Sequence, residues 1–297
     1  MKQGGATPGV GSSAITAIDA ISARRLLEWY ALAGVDAAID DAPAGQRHDE
    51  PRGAILGEAP DRSEAPRALA RDIAPRASQP AARQPALLVP EGRRVGAARA
   101  IAAKCGSLAE LKEDLERFEG CALRDTAKQL CFADGNPEAS LMLIGEAPGA
   151  EEDRQGKPFV GASGQLLDRI LAEIGVDRTT AWITNVIYWR PPGNRSPTTG
   201  EIAVCMPFLK RQIELLEPRF ILFVGGIAAK ALLETNDGVT KLRGRPFTIT
   251  SDTGREVPCL VTFHPAYLLR QPLNKRFVWR DMLQLRQRLD ELGVACA

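Results

Sequence analysis

From about residue 97 onward the sequence predicts an α/β domain, a parallel or mixed sheet with helices on both faces. Three observations predict it. Short, continuous apolar runs of buried-strand type occur at 141–144, 182–187, 219–224 and 257–262. Helix-period patterns alternate with them at 164–174, 201–216, 228–233 and 276–292. Unusual polar chemistry then gathers just past three of the apolar runs, where an open α/β sheet binds its ligands.

Taken in order, residues 1–15 are rich in Gly, Ser and Ala and are expected to be disordered. Leu26, Leu27, Tyr30, Leu32 and Ala33 recur at helical spacing and predict one short amphipathic helix over about 22–38. Residues 41–95 are dense in Pro, Ala and Arg with few large apolar side chains, so they cannot offset their ordering entropy and read as a linker. His48 falls in this linker as a solvated residue, as does Gly57-Glu58-Ala59-Pro60, a chance copy of a later motif. The expected division is therefore an extension over 1–95 and a folded domain over 96–297. Within the domain, Ser107-Leu108-Ala109-Glu110 is a capping box that opens a helix to about residue 118. Asp134-Gly135-Asn136-Pro137 signals a turn before the first strand, and 238–255 is irregular enough to hold a hairpin.

Composition narrows the function. The formal net charge is +1, so no global basic field announces a nucleic-acid partner, and a local patch must meet one. No apolar run approaches the ~18 residues of a membrane span, and no charged-then-apolar leader opens the chain, so a cytoplasmic protein without a membrane partner is expected. Six cysteines without a C-x-x-C pair suggest neither a disulfide scaffold nor the strong metal spacing.

The stretch that organises the domain is 141–164. Its apolar run ends in Gly145-Glu146-Ala147-Pro148-Gly149, and carboxylates and then Phe159 follow. Asn185 interrupts a strand-like run, where an amide is disfavoured but offers the donors and acceptor needed to read the imide edge of a pyrimidine. The strand at 257–262 leads into Phe263-His264-Pro265-Ala266-Tyr267-Leu268-Leu269-Arg270. Each residue also has a plain structural role open to it. Glu146 can cap a turn, Glu151, Glu152 and Asp153 suit a helix N-terminus, Phe159 can be core, and Asn185 and His264 can satisfy loop groups. Their convergence at one edge of one sheet is what points to a site.

These motifs resemble family 4 of the uracil-DNA glycosylase superfamily over roughly 118–289: GEAPG-x-EED-x-x-G-x-PFVG, then TNV…RPP-x-NR-x-P, then FHP-x-YLLR. The resemblance implies a three-layer α/β/α sandwich around a mostly parallel four-stranded sheet. It also implies a monofunctional, monomeric enzyme that hydrolyses the N-glycosidic bond of deoxyuridine in DNA. On that pattern Glu146 and His264 are catalytic, and Asn194 helps place the attacking water. Ala147, Glu152, Phe159 and Asn185 form the uracil pocket, with Glu152 as the wall that excludes thymine. Gly149, Arg190, Arg195 and the wedge Leu268-Leu269-Arg270 meet DNA, and Arg243 and Arg245 are further candidates for phosphate. The N-terminal helix is expected to tether a protein partner.

The family's [4Fe–4S] cluster sits on four cysteines. Here Cys121 and Cys205 match two of those positions, while Phe118 and Trp189 occupy the other two. No cofactor is therefore expected, with the two rings filling the cluster's volume; Cys105 or Cys131 as a substitute ligand is the alternative, though neither has ligand spacing. Two rival readings are a uracil- or abasic-DNA-binding protein that has lost turnover, and a phosphate-binding protein using the GEAPG loop, whose acidic surroundings disfavour it.

Overall fold

A computed structural model describes residues 90–294. The expectations for the disordered start, the helix at 22–38, nearly all of the linker, His48, the 57–60 tetrapeptide and Cys296 lie outside the described residues.

The domain opens with α1 (Glu91–Ala102) and α2 (Leu108–Arg117). The Ser107 hydroxyl caps α2 by accepting from the Glu110 N–H at 3.2 Å. Glu110 reaches back one residue further than a capping box requires and accepts from Gly106 N–H at 2.7 Å. The strands are β1 (Ala133–Gly135), β2 (Leu141–Gly145), β3 (Ala181–Asn185), β4 (Phe220–Val224), β5 (Pro246–Thr250) and β6 (Glu256–Thr262). Between and after them come α3 (Ala150–Gln155), α4 (Ala162–Ala172), α5 (Thr199–Leu216), α6 (Gly226–Leu233), α7 (Val239–Leu242), α8 (Pro265–Arg270) and α9 (Lys275–Glu291).

The sheet order is β1-β3-β2-β4-β6-β5. Its inner four strands, β3-β2-β4-β6, are parallel, and β2 pairs with β3 from Leu141 opposite Ala181 to Gly145 opposite Asn185. Buried on both faces, these strands divide their side chains by the two-residue period. Met142, Ile144, Ile221 and Phe223 face α1, α2, α5 and α6, whereas Leu141, Leu143, Phe220 and Leu222 face α4, α8 and α9. The result is the expected three-layer sandwich, with the carboxyl ends of β2, β3 and β6 at one rim.

The sheet has six strands where four were expected, because β1 and β5 add antiparallel edges. β1 is only three residues long, and its Asp134-Gly135 carries turn chemistry. In β5 only Ile249 is buried, so neither strand presents the apolar run that marks the inner four. The folded body also starts earlier than residue 96, since α1 begins at Glu91. Its buried face is only Ala98 and Ala102, too slight a stripe to signal a helix.

Arg243, expected to face phosphate, is instead part of the core. Its Nε donates to Asp281 Oδ2 at 3.2 Å and a second N–H to Oδ1, while the guanidinium lies 5.5 and 5.0 Å from the Phe263 and Phe277 ring centres. Thr262 also donates to Asp281 at 2.8 Å, and burial pushes that carboxyl up to about 6 against these partners. Arg243→Ala strands a buried carboxylate and is expected to cost about 3–5 kcal/mol in urea unfolding. A loss below about 1 kcal/mol would make the pair an ordinary surface contact.

Candidate active site

A cavity of about 430 Å³ opens at the carboxyl rim, lined by the GEAPG loop, the Phe159 loop, the end of β3, the 191–196 turn and the start of α8. It brings together Glu146, Ala147, Gly149, Glu152, Phe159, Asn185, Asn194, Arg195, His264 and Arg270, all candidates from sequence. Arg190, Leu268 and Leu269 do not line it.

Gly145 sets the floor. A Cβ built there would lie 2.4 Å from Asn185 Oδ1 and 2.5 Å from Phe159 Cζ, so only glycine admits both side chains at the tip of β2. Asn185 ends β3, opposite Gly145, and is 1% exposed. Its Oδ1 is buried with no hydrogen-bond partner, an acceptor whose desolvation goes uncompensated within the chain. Phe159 is 4% exposed with φ +53°, a left-handed conformation that costs an aromatic residue about 1–3 kcal/mol. Its ring centre lies 5.6 Å from that of His264, the planes tilted by 30°.

His264 follows β6 and caps α8, its Nδ1 accepting from Ala266 N–H at 3.1 Å. That bond assigns the neutral tautomer with the proton on Nε2, leaving a donor on the other side of the ring. Burial and then the Arg270 charge push the imidazole down to about 4, against the pull of Glu152, so it is neutral near pH 7.

The carboxylates have distinct tasks. Burial pushes the half-buried Glu146 carboxyl up, opposed by a hydrogen bond from Ser196. Glu152 is a strut: Oε1 accepts from Val160 and Gly161 N–H at 3.0 and 2.8 Å, and Oε2 from Gly149 N–H at 3.1 Å. It thus ties the GEAPG loop to the Phe159 loop. Asp153 is buried and accepts from Lys128 N–H at 2.8 Å.

The basic and apolar rim departs from expectation. Asn194, at φ +56°, accepts from Arg190 Nε at 2.7 Å, and Arg195 forks onto Glu201 at 2.9 and 2.6 Å. Both arginines therefore enter any contact with DNA already paired. Leu268 is 0% exposed among Phe263, Val278 and Met282, which corrects its place in the wedge. Leu269, next along α8, is 47% exposed, and Leu273 just beyond it 76%. Sequence reasoning missed Ser163, Ser196 and Tyr267 as lining residues; Ser163 lies just past the first quoted motif, Ser196 at a variable position of the second and Tyr267 inside the third, and no spacing sets them apart.

The four positions of the family cluster do not fit four-thiolate ligation. Cys205 donates to Cys121, a bond that with burial pushes the Cys205 thiol up. Phe118 is 5% exposed with its ring centre 5.1 Å from that of Phe208, and Trp189 is 2% exposed in the same apolar cluster. Cys131 donates to the Glu152 carbonyl at 2.9 Å and Cys105 to Asp114 at 3.4 Å. Among the described residues no group of three or more His, Cys, Asp or Glu is placed to hold a metal ion.

Comparison with known proteins identifies the family. Residues 132–283 match the family model described as the uracil DNA glycosylase superfamily, and the chain belongs to that superfamily. Its relatives place it in family 4. It is 40% identical over 185 residues to a type-4 uracil-DNA glycosylase of Pyrobaculum aerophilum, covering 59% of this chain and 91% of that protein. With the type-4 enzyme of Thermotoga maritima it shares 36% identity, covering 62% and 95%, and with that of Sulfurisphaera tokodaii 36%, covering 61% and 84%.

The depressed His264 has a consequence for stability. Between pH 6.5 and about 4 the unfolded chain takes up a proton on this residue that the folded chain refuses, so stability falls as pH drops through that window. His264→Asn, which keeps a capping side chain, is expected to remove this part of the acid loss in denaturant titrations. Parallel pH slopes for the two proteins would contradict the assignment.

Proposed function

We propose that the chain hydrolyses the N-glycosidic bond of deoxyuridine in DNA, releasing uracil and leaving an abasic site. The observation that carries this is the unpartnered, buried Asn185 Oδ1 beside the Phe159 ring and the Nε2 donor of His264. Uracil laid on Phe159 presents N3–H to Asn185 Oδ1 and O4 to its amide N–H, which repays the cost of unstacking the base. As the N1–C1′ bond breaks, its electron pair passes to uracil and positive charge develops on the sugar. Neutral His264 donates Nε2–H toward O2, where the negative charge gathers. Glu146 faces the sugar side, where a carboxylate offsets the positive charge and orients the water whose oxygen joins C1′; Asn194 assists in placing that water. Glu152 fixes the two loops that close the pocket around C5. Leu269, with Leu273, takes the wedge role, and Arg270 lies beside them. The setting we propose is the cytoplasm, a monomeric chain and an N-terminal segment available to a protein partner. Among the described residues no helix is long and apolar enough to cross a membrane.

The same reading has the enzyme work without an iron–sulfur cluster, supported by the packing of Phe118 and Trp189 and by the engaged thiols of Cys105 and Cys131.

Two measurements test this. With a single-uracil oligonucleotide under single-turnover conditions, His264→Ala and Asn185→Ala are each expected to slow alkali-revealed scission by roughly 10²–10³-fold. Tight binding of the same DNA by the native chain without scission would favour the lapsed binder. Separately, protein purified under strict anaerobiosis is expected to be colourless with sub-stoichiometric iron; about four irons per chain with visible charge-transfer absorption would overturn the cluster-free reading.

A further inference from the structure

Arg178 stands in the connection between α4 and β3, outside every motif above, and all five of its guanidinium N–H groups have an acceptor. Nε donates to Asp168 Oδ1 at 3.2 Å, and Nη2 donates to Asp168 Oδ2 at 3.3 Å and to the Phe159 carbonyl. Nη1 donates to Asp134 Oδ2 at 2.7 Å and to the Pro158 carbonyl at 3.2 Å. One side chain thereby joins β1, α4 and two successive carbonyls of the loop that carries the Phe159 ring.

That loop needs an external hold. Phe159 sits at φ +53°, where residues with a Cβ are uncommon, and its ring direction follows from that backbone. α4 packs on the same carbonyl so closely that a Cβ on Gly164 would lie 1.8 Å from the Phe159 oxygen. Asp134 and Asp168 fix the arginine in turn. Against the cost of burial, Arg178 and Lys157, the latter 3.1 Å away, keep the Asp134 carboxyl below its usual range and so charged. Lysine, a point charge with three donors, cannot fork across two carboxylates and two carbonyls.

We propose that Arg178 is a positioning residue for the base-stacking ring, clamping the Pro158 and Phe159 carbonyls so that Phe159 lies against Gly145 and Asn185 beside His264. The proposal rests on the uracil reading of this cavity. Its mark is dependence on Phe159: once the ring is removed, the clamp has nothing left to position.

The test uses the full chain with Arg178→Lys, Arg178→Met, Phe159→Ala and the double variant Phe159→Ala/Arg178→Met. Single-turnover excision and inhibition by free uracil are read, with thermal unfolding alongside. Each Arg178 variant is expected to slow excision about tenfold or more and to weaken uracil inhibition in step. On the Phe159→Ala background, Arg178→Met is expected to change either by less than about twofold. Native-like behaviour of both Arg178 variants, or a full multiplicative loss in the double variant, overturns the proposal. Should the Arg178 variants lose cooperative melting, Asp168→Asn, which removes one anchor and spares the arginine, takes their place under the same criteria. Loss of cooperative melting there too assigns Arg178 to folding and overturns the proposal. A native chain that neither excises nor is inhibited by uracil sinks the uracil reading and this inference together; excision without coupling to Phe159 sinks only this inference.

Discussion

The cavity depends on a side chain that is missing. At Gly145 the central strand reaches the rim with nothing beyond its main chain, and two neighbours take the space: the Asn185 amide from β3 and the Phe159 ring from the following loop. Any Cβ would meet both at about 2.5 Å, well inside contact distance. Because β2 and β3 are parallel and in register to their last residues, Asn185 has no freedom to retreat. The Asn185 amide is thus placed by the sheet, and the Phe159 ring is brought to the same spot by a loop.

The loop is held from two sides. Glu152 accepts backbone N–H groups on either side of the cavity and fixes the distance between its walls. Arg178 grips the loop's carbonyls from the opposite side. Acceptor on donors and donor on acceptors, the two side chains replace the hydrogen bonds that a loop lacks for want of a ladder partner. His264 completes the arrangement by a similar economy: the bond that caps α8 also fixes its tautomer, leaving the proton on Nε2, and burial holds the ring neutral near pH 7.

Much of this was legible in the sequence. The four inner strands announced themselves because burial on both faces demands continuous apolar runs, and the candidate residues stood just past three of them. Of the edge strands β1 was not legible and β5 only as a hairpin within 238–255, since both are half-solvated and carry turn residues or proline. Leu268 and Leu269 show the limit of reading a motif as a unit: adjacent on a six-residue helix, one turns into the core and the other to solvent. The arginines show another. Arg243, Arg195 and Arg178 look alike in a sequence, but their roles depend on which acceptor each finds, from Glu201 and Asp168, 6 and 10 residues away, to Asp281 and Asp134, 38 and 44 residues away. Spacing does not encode such partners.

The central claim is that these side chains alone, with no cluster beside them, carry a complete glycosylase. The most direct test is to take the full chain, show by metal analysis that it is free of iron, and quantify free uracil released from uracil-containing DNA alongside the abasic sites formed. The account predicts uracil and abasic sites in equal amounts. Release only after iron and sulfide have been reconstituted, or no release at all from DNA that is bound tightly, would contradict it.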